Sequence, residues 1–588
     1  MDNVLFFNRH EYFFISKSKG DLFHDLLPIV DALFPYISNK VTSFYEENQS
    51  LDVANTPAST SNKISDEQFI NDVASTNEDI SIFLNIIIRL LSKCDSLTLG
   101  VEYFYIDRDY RDSYYMHYSE KHKETDRYCT RVMLFSGDFF TTIQNERYNK
   151  KQYKSLQDNF VGSVVLTPLS HRCIGRSLLN PLYFFNNDSA FVRTTSYSIY
   201  FKGYKFKVFA FPFRMQDTIT TTCAEVTVIN ILDYYSRSYS DYGYFTPSAI
   251  HQIAKQEKFD RHIPSGGLTY ELISRILYRA GLAPKFYLPD KIDDTSIRHL
   301  ISYYIESGIP VAIGTSPDNK EKKQMGHSIV CIGHGKCNLP LQLVTPQTTP
   351  QLKVEYINSA DLYDEWIVQD DVATPYCVYS FDKTKKANKM NRREGDDKYI
   401  AIDDYFGRKK IDCIVAPLYK RMYMDAIKAE DTILSILDDD ERTPKPYLDG
   451  SPVIYRLFLA SSRHLKSFRI SNIRSKQVCR LYQEVPLPQF VWVCELFTRQ
   501  GYKCQKAFGE ILLDATYSGP NLLESCLMIN YPDRHIAQFF DLTSSFYSED
   551  SEGINIVPKE ALDFVDFKGV NEFSAYSNLQ HDLDFRKT

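Results

Sequence analysis

Gln216, Cys223, His327 and an aspartate at 370 or 371 follow one another in an order that suits acyl chemistry at a thiol. A cysteine nucleophile needs a base within hydrogen-bond reach, and the base needs an acceptor to orient it. Cys223 lies in MQDTITTTCAEVTVINILDYY, where Thr222 is followed three residues later by Glu225. That is a capping-box pattern, and it predicts a helix with Cys223 as its first residue. A thiol there meets unpaired backbone N–H groups and the positive end of the helix dipole, both of which favour the nucleophilic thiolate. Gln216, seven residues earlier, offers a side-chain donor for an oxyanion at the same spot. Glu225 is an acid by type, but its capping role accounts for it.

His327 is the best base. It opens the strand-like run Gly326-His327-Ser328-Ile329-Val330-Cys331-Ile332-Gly333 after a polar loop, so its ring can face a cleft. His334, seven residues on, falls on the opposite face of a regular strand, and only one of the two can serve. The run Trp366-Ile367-Val368-Gln369-Asp370 is another predicted strand, ending beside Asp371. Adjacent residues face opposite ways. Asp370 shares parity with Trp366 and Val368 and is expected to orient His327, with Asp371 in reserve.

These residues need a scaffold. Strands are predicted at Gly162–Leu166, Tyr197–Phe201 and Phe206–Phe211, and a helix over Thr269–Ala280 is stopped by Gly281. Ile309–Ile313, between Gly308 and Gly314, reads as a buried strand, and Ile411–Tyr419 as a further one. Phe69–Cys94 has helical spacing, and strand signals recur at Val453–Ala460, Phe490–Phe497 and Glu510–Asp514. Helix-rich and strand-rich blocks in succession predict an α+β fold. The polar run 46–68 and the charged run 383–398 read as loops. Three regions are expected: an N-terminal accessory α/β region over 1–200, a catalytic region over 201–423, and a C-terminal accessory α/β region over 424–588.

A chain of 588 residues is long enough for two to four cores. A net charge of −7 gives no global case for nucleic-acid binding. The N-terminus lacks a secretory signal pattern, and the longest apolar patch, Ile82 to Leu91, is broken by Asn85 and Arg89, so no membrane partner is expected. The twelve cysteines show no disulfide or zinc spacing. Cys331, His334 and Cys337 match no standard metal motif. A reducing cytoplasm, no metal and no organic cofactor are the expectations, with oligomeric state left open.

From about Phe206 to Ile414 the chain resembles the papain-like cysteine peptidases, particularly the branch that includes bacterial peptidases removing double-glycine leaders. The resemblance rests on Gln216, Cys223, His327 and Asp370 in that order, on Gly267-Leu268 opening a helix that ends at Gly281, and on Gly308-Ile309-Pro310-Val311 and Gly326-His327-Ser328. It implies a helix carrying the cysteine packed on an antiparallel sheet carrying the histidine and aspartate. It also implies hydrolysis of a protein or peptide substrate, with Gln216 lining the oxyanion hole. Ala224 stands where the family commonly has glycine, the Gln-to-Cys spacing is about one residue longer, and a long insert with Pro340, Pro346 and Pro350 separates His327 from Asp370. Acyl transfer to an amine, or isopeptide cleavage, would use the same residues. A non-catalytic interaction module presenting an aromatic groove is the alternative of another class, given 42 tyrosines and 39 phenylalanines.

Overall fold

The computed structural model describes residues 10–16, 29, 30, 32, 33, 78–122, 125–169, 173–185, 190–257, 268–288, 294–317, 326–335, 344–381, 404–406, 409–472, 476–532, 535–537, 573, 574 and 576. The expected loops at 46–68 and 383–398, and the first residues of the predicted 69–94 helix, lie outside them. Helices packed on largely antiparallel sheets give a mixed α+β architecture.

The central sheet runs Asp404–Tyr405, Cys377–Ser380, Glu365–Gln369, His327–Gly335, Val311–Pro317, Lys409–Leu418, Ala283–Tyr287. Neighbours are antiparallel apart from the Asp404–Tyr405 edge. Ala190–Val192 pairs with the far end of the His327–Gly335 strand. The strand predicted to start at Ile309 begins instead at Val311, because the preceding residues close the Asp294–Glu306 helix. Gly308 takes φ +73°, and the Ile309 N–H reaches back to the Tyr304 carbonyl at 2.9 Å. This helix-terminating turn uses a left-handed residue that glycine adopts without steric cost.

A five-stranded N-terminal sheet orders His10–Ser16, Ser96–Tyr105, Cys129–Ser136, Phe160–Leu166 and Leu178–Leu179. The seven-stranded C-terminal sheet is built on Val453–Ser461, Phe490–Phe497, Gly509–Asp514 and Cys526–Asn530. Part of the insert between His327 and Asp370 belongs to it: Gln347–Thr348 pairs with Glu355–Asn358, which lies parallel to Val453–Ser461. One buried apolar cluster runs from Ile15 to Tyr531 through all three sheets.

A chain of buried charges also crosses from the central to the C-terminal sheet. His334 meets Glu306 at 3.0 Å, and Glu306 meets Arg456 at 2.5 Å. Arg456 reaches Glu495 at 2.9 Å, and Glu495 reaches Arg469 at 2.6 Å. Arg469 in turn bonds Glu510. Each carboxylate in the chain touches a cation, which is what keeps buried charges tolerable.

Candidate active site

The helix predicted from the capping box is Cys223–Ser238, with Thr222 as its cap. The Glu225 carboxylate accepts from both the backbone N–H and the hydroxyl of Thr222 at 2.5 Å, satisfying donors that a helix start leaves open. Three side chains fasten this helix, two to the central sheet and one to the turn before its Val311–Pro317 strand. Thr227 donates to the Ser328 carbonyl at 3.2 Å, Tyr234 to the Gly308 carbonyl at 3.2 Å and Tyr235 to the Pro417 carbonyl at 2.6 Å. Thr227 is one turn beyond Cys223, and Ser328 follows His327, so the first bond sets helix start against strand start. Cys223 is half-buried, and its Sγ lies 4.0 Å from the Gly326 carbonyl oxygen.

His327 and Asp370 come together. His327 Nε2 lies 2.8 Å from Asp370 Oδ1 and 3.6 Å from Asp371 Oδ1. Burial alone would lower the imidazole's pKa. The hydrogen bond to Asp370, the neighbouring Cys223 thiol and the charges of Asp370 and Asp371 outweigh it, and the value rises to about 10. With Nε2 engaged by the carboxylates, Nδ1 is the ring nitrogen left for the sulfur. Asp370 is itself buried, which would raise its pKa, yet its contacts with His327, Tyr379 and the Val372 N–H hold it below the ordinary carboxylate value. Tyr379 donates to Asp370 Oδ2 at 2.6 Å, and the Val372 N–H to Oδ1 at 3.1 Å. His334 sits elsewhere, stacked 4.0 Å from the Tyr363 ring and bonded to Glu306.

Gln216 is half-buried on the loop leading to the helix, and its side-chain amide makes no hydrogen bond among the described residues. The loop between it and Cys223 folds around Asp217, a residue the sequence reading passed over. Asp217 Oδ1 accepts from the backbone N–H of Ile219, Thr220 and Thr221 at 3.0, 2.8 and 2.7 Å. An Asp followed by three threonines within five residues is the available signal for such a turn.

The facing wall holds Tyr270, from the Tyr270–Arg279 helix. Its ring fills the space over Gly314, where an added Cβ would stand 2.2 Å from it. Its hydroxyl is 3.4 Å from Asp412, the extra residue where the register between Val311–Pro317 and Lys409–Leu418 shifts. The ligand atoms of His327, Asp370 and Asp371 lie within 4.8 Å of one another, a set able to hold a cation. Such an ion would have to displace the proton His327 retains and the donors already on Asp370.

No family model matches the chain, and no curated protein matches it. The functional reading therefore rests on the site's own chemistry. A buried carboxylate, an imidazole that keeps its proton and a thiol at a helix start form a relay able to activate a nucleophile. Among the described residues no helix is long and apolar enough to cross a membrane.

Proposed function

We propose that this chain is a papain-like cysteine peptidase, a hydrolase acting on protein or peptide substrates through Cys223, His327, Asp370 and Gln216. The observation that carries the reading is the 2.8 Å hydrogen bond between His327 and Asp370 beside a helix-start Cys223, whose sulfur lies 4.0 Å from the carbonyl of Gly326, the residue before His327. The helix that starts at Cys223, packed on the antiparallel sheet that carries His327 and leads into Asp370, supports this reading.

The Cys223 sulfur attacks the peptide carbonyl carbon, forming a C–S bond and an oxyanion. The Gln216 amide and the Cys223 backbone N–H donate to that oxygen. Collapse breaks the C–N bond while His327 gives its proton to the departing amine, leaving a thioester. Water then attacks the thioester, His327 takes its proton, and the C–S bond breaks to free the acid and the sulfur. Asp370 holds the imidazole through Nε2 during both halves. A thiol suits a reducing compartment such as the cytoplasm, and no disulfide joins the described cysteines.

Hydrolysis of a peptide library, read by product mass, tests the proposal against the Cys223→Ala variant. Water-addition products lost in the variant, with folding unchanged, support it. Equal cleavage by both proteins would refute it, and amine-incorporation products would point to acyl transfer.

A further inference from the structure

The two residues nearest Gln216 that carry charge are each bound to the same short N-terminal segment. Arg214, two residues before it, is 5% exposed and bonds through every face of its guanidinium. Its Nε donates to Asp109 Oδ2 at 2.7 Å, and its terminal nitrogens to Asn230 and Asp233, both at 2.6 Å, and to Tyr244 at 3.1 Å. Asn230 and Asp233 lie on the helix that starts with Cys223, so Arg214 ties the segment leading to Gln216 to the cysteine's own helix. Asp217, on the other side of Gln216, accepts from the Tyr118 hydroxyl at 2.8 Å through the oxygen that also takes the Thr220 hydroxyl. Asp109 and Tyr118 sit at the two ends of one element, the Arg108–Met116 helix and the turn Tyr118–Glu120 after it.

That element is firmly seated. Asp107 caps its start, the Arg108 guanidinium lies 4.1 Å from the Tyr244 ring centroid, and Asp112 accepts from the Ser248 N–H and hydroxyl, both at 2.7 Å. Backbone bonds flank Gln216 as well. The Met215 N–H reaches the Ile174 carbonyl at 3.0 Å, and the Asp217 N–H reaches the Thr221 hydroxyl at 3.3 Å. The result is a glutamine whose backbone is clamped on both sides while its side-chain amide stays uncommitted. An oxyanion donor needs that condition, since a donor fixed in advance stabilises developing charge without reorganising.

We infer that Tyr118 and Arg214 are positioning residues that hold Gln216 as the oxyanion donor, so that the 107–120 segment supports the site from behind. The inference rests on the peptidase reading above. Neither residue touches the reacting atoms; each acts through Gln216.

Two reactions at Cys223 separate this role from a merely structural one. Iodoacetamide alkylates the sulfur by displacing iodide, with no tetrahedral oxyanion. p-Nitrophenyl acetate acylates it through such an oxyanion, giving an acetyl thioester and p-nitrophenolate. Gln216→Ala and Tyr118→Phe are expected to slow acylation by roughly 10- to 100-fold while alkylation stays within about twofold. Phe keeps the ring that stacks on Tyr110, 6.2 Å between centroids, so the variant deletes one hydroxyl. The double variant should be no slower than Gln216→Ala alone, because the two act on one step. Arg214→Lys, which keeps the charge and loses the fork, should resemble Tyr118→Phe.

An unchanged acylation-to-alkylation ratio in Tyr118→Phe would overturn the inference, as would equal loss of both reactions or additive losses in the double variant. If Gln216→Ala itself leaves the ratio unchanged, the donor role fails and the clamp with it. Wild-type Cys223 that reacts with neither reagent ahead of the other cysteines would instead sink the peptidase reading.

Discussion

His327 Nε2 stands 2.8 Å from Asp370 and 3.6 Å from Asp371, so the nearer carboxylate sets the ring's orientation and leaves Nδ1 for Cys223. Asp370→Ala should reduce acylation of Cys223 by p-nitrophenyl acetate by roughly 100-fold, the scale of a lost acid–base partner. Asp371→Ala should reduce it by less than about tenfold on the same scale. Stopped-flow release of p-nitrophenolate measures both, and the reverse ranking would move the orienting role to Asp371.

The imidazole also ties stability to alkaline pH. Folding raises the His327 pKa from 6.5 to about 10, so the folded protein holds this proton more tightly than the unfolded chain. The stabilisation is therefore fully present below about pH 6.5 and is lost as pH rises through about 10. Urea denaturation at pH 6, 8 and 10 should show wild type losing stability across that window. His327→Gln should lack this component of the slope; matching slopes in the two proteins would contradict it.

At the start of the cysteine helix, Glu225 takes two hydrogen bonds from Thr222 while only 1% exposed. Glu225→Ala leaves those donors without a partner and should cost about 1–3 kcal/mol in urea denaturation. Fraying of the first turn should also slow Cys223 alkylation. A variant with wild-type stability and reactivity would show that the cap is dispensable.

Far from the site, Arg469 is fully buried between Glu495 and Glu510. Arg469→Met leaves Glu510 buried without its cation and Glu495 held by Arg456 alone, and should destabilise the chain by about 3–5 kcal/mol. The triple variant with Glu495→Gln and Glu510→Gln should recover part of that loss. Chemical denaturation tests the pair, and no recovery would mean that packing rather than charge holds this region.

Local signals carried the sequence reading furthest. Thr222 and Glu225 placed the helix start at Cys223, where it lies. The 490–497 strand needed only its apolar run, and Thr269 and Gly281 bounded a helix observed over Tyr270–Arg279. Gly281 indeed takes a left-handed φ of +98° beyond that helix end. What stayed hidden depends on distant pairing. Nothing near Tyr379 or Tyr118 announces that one hydroxyl will meet Asp370 and the other Asp217, 99 residues away in the second case. The insert's strands are likewise invisible, because Glu355–Asn358 has only a two-residue local partner and gains its parallel partner across nearly a hundred residues of chain. Ile309 was read as strand because its apolar character is the same whether it closes a helix or enters a sheet.

An activated Cys223–His327 pair should reveal itself in alkylation with iodoacetamide at pH 6 to 8, followed by peptide mapping. Cys223 should react first among the twelve cysteines, and His327→Ala should slow it by about tenfold or more. Cys223 labelling no faster than the other cysteines, or at the same rate in His327→Ala, would rule out an activated pair.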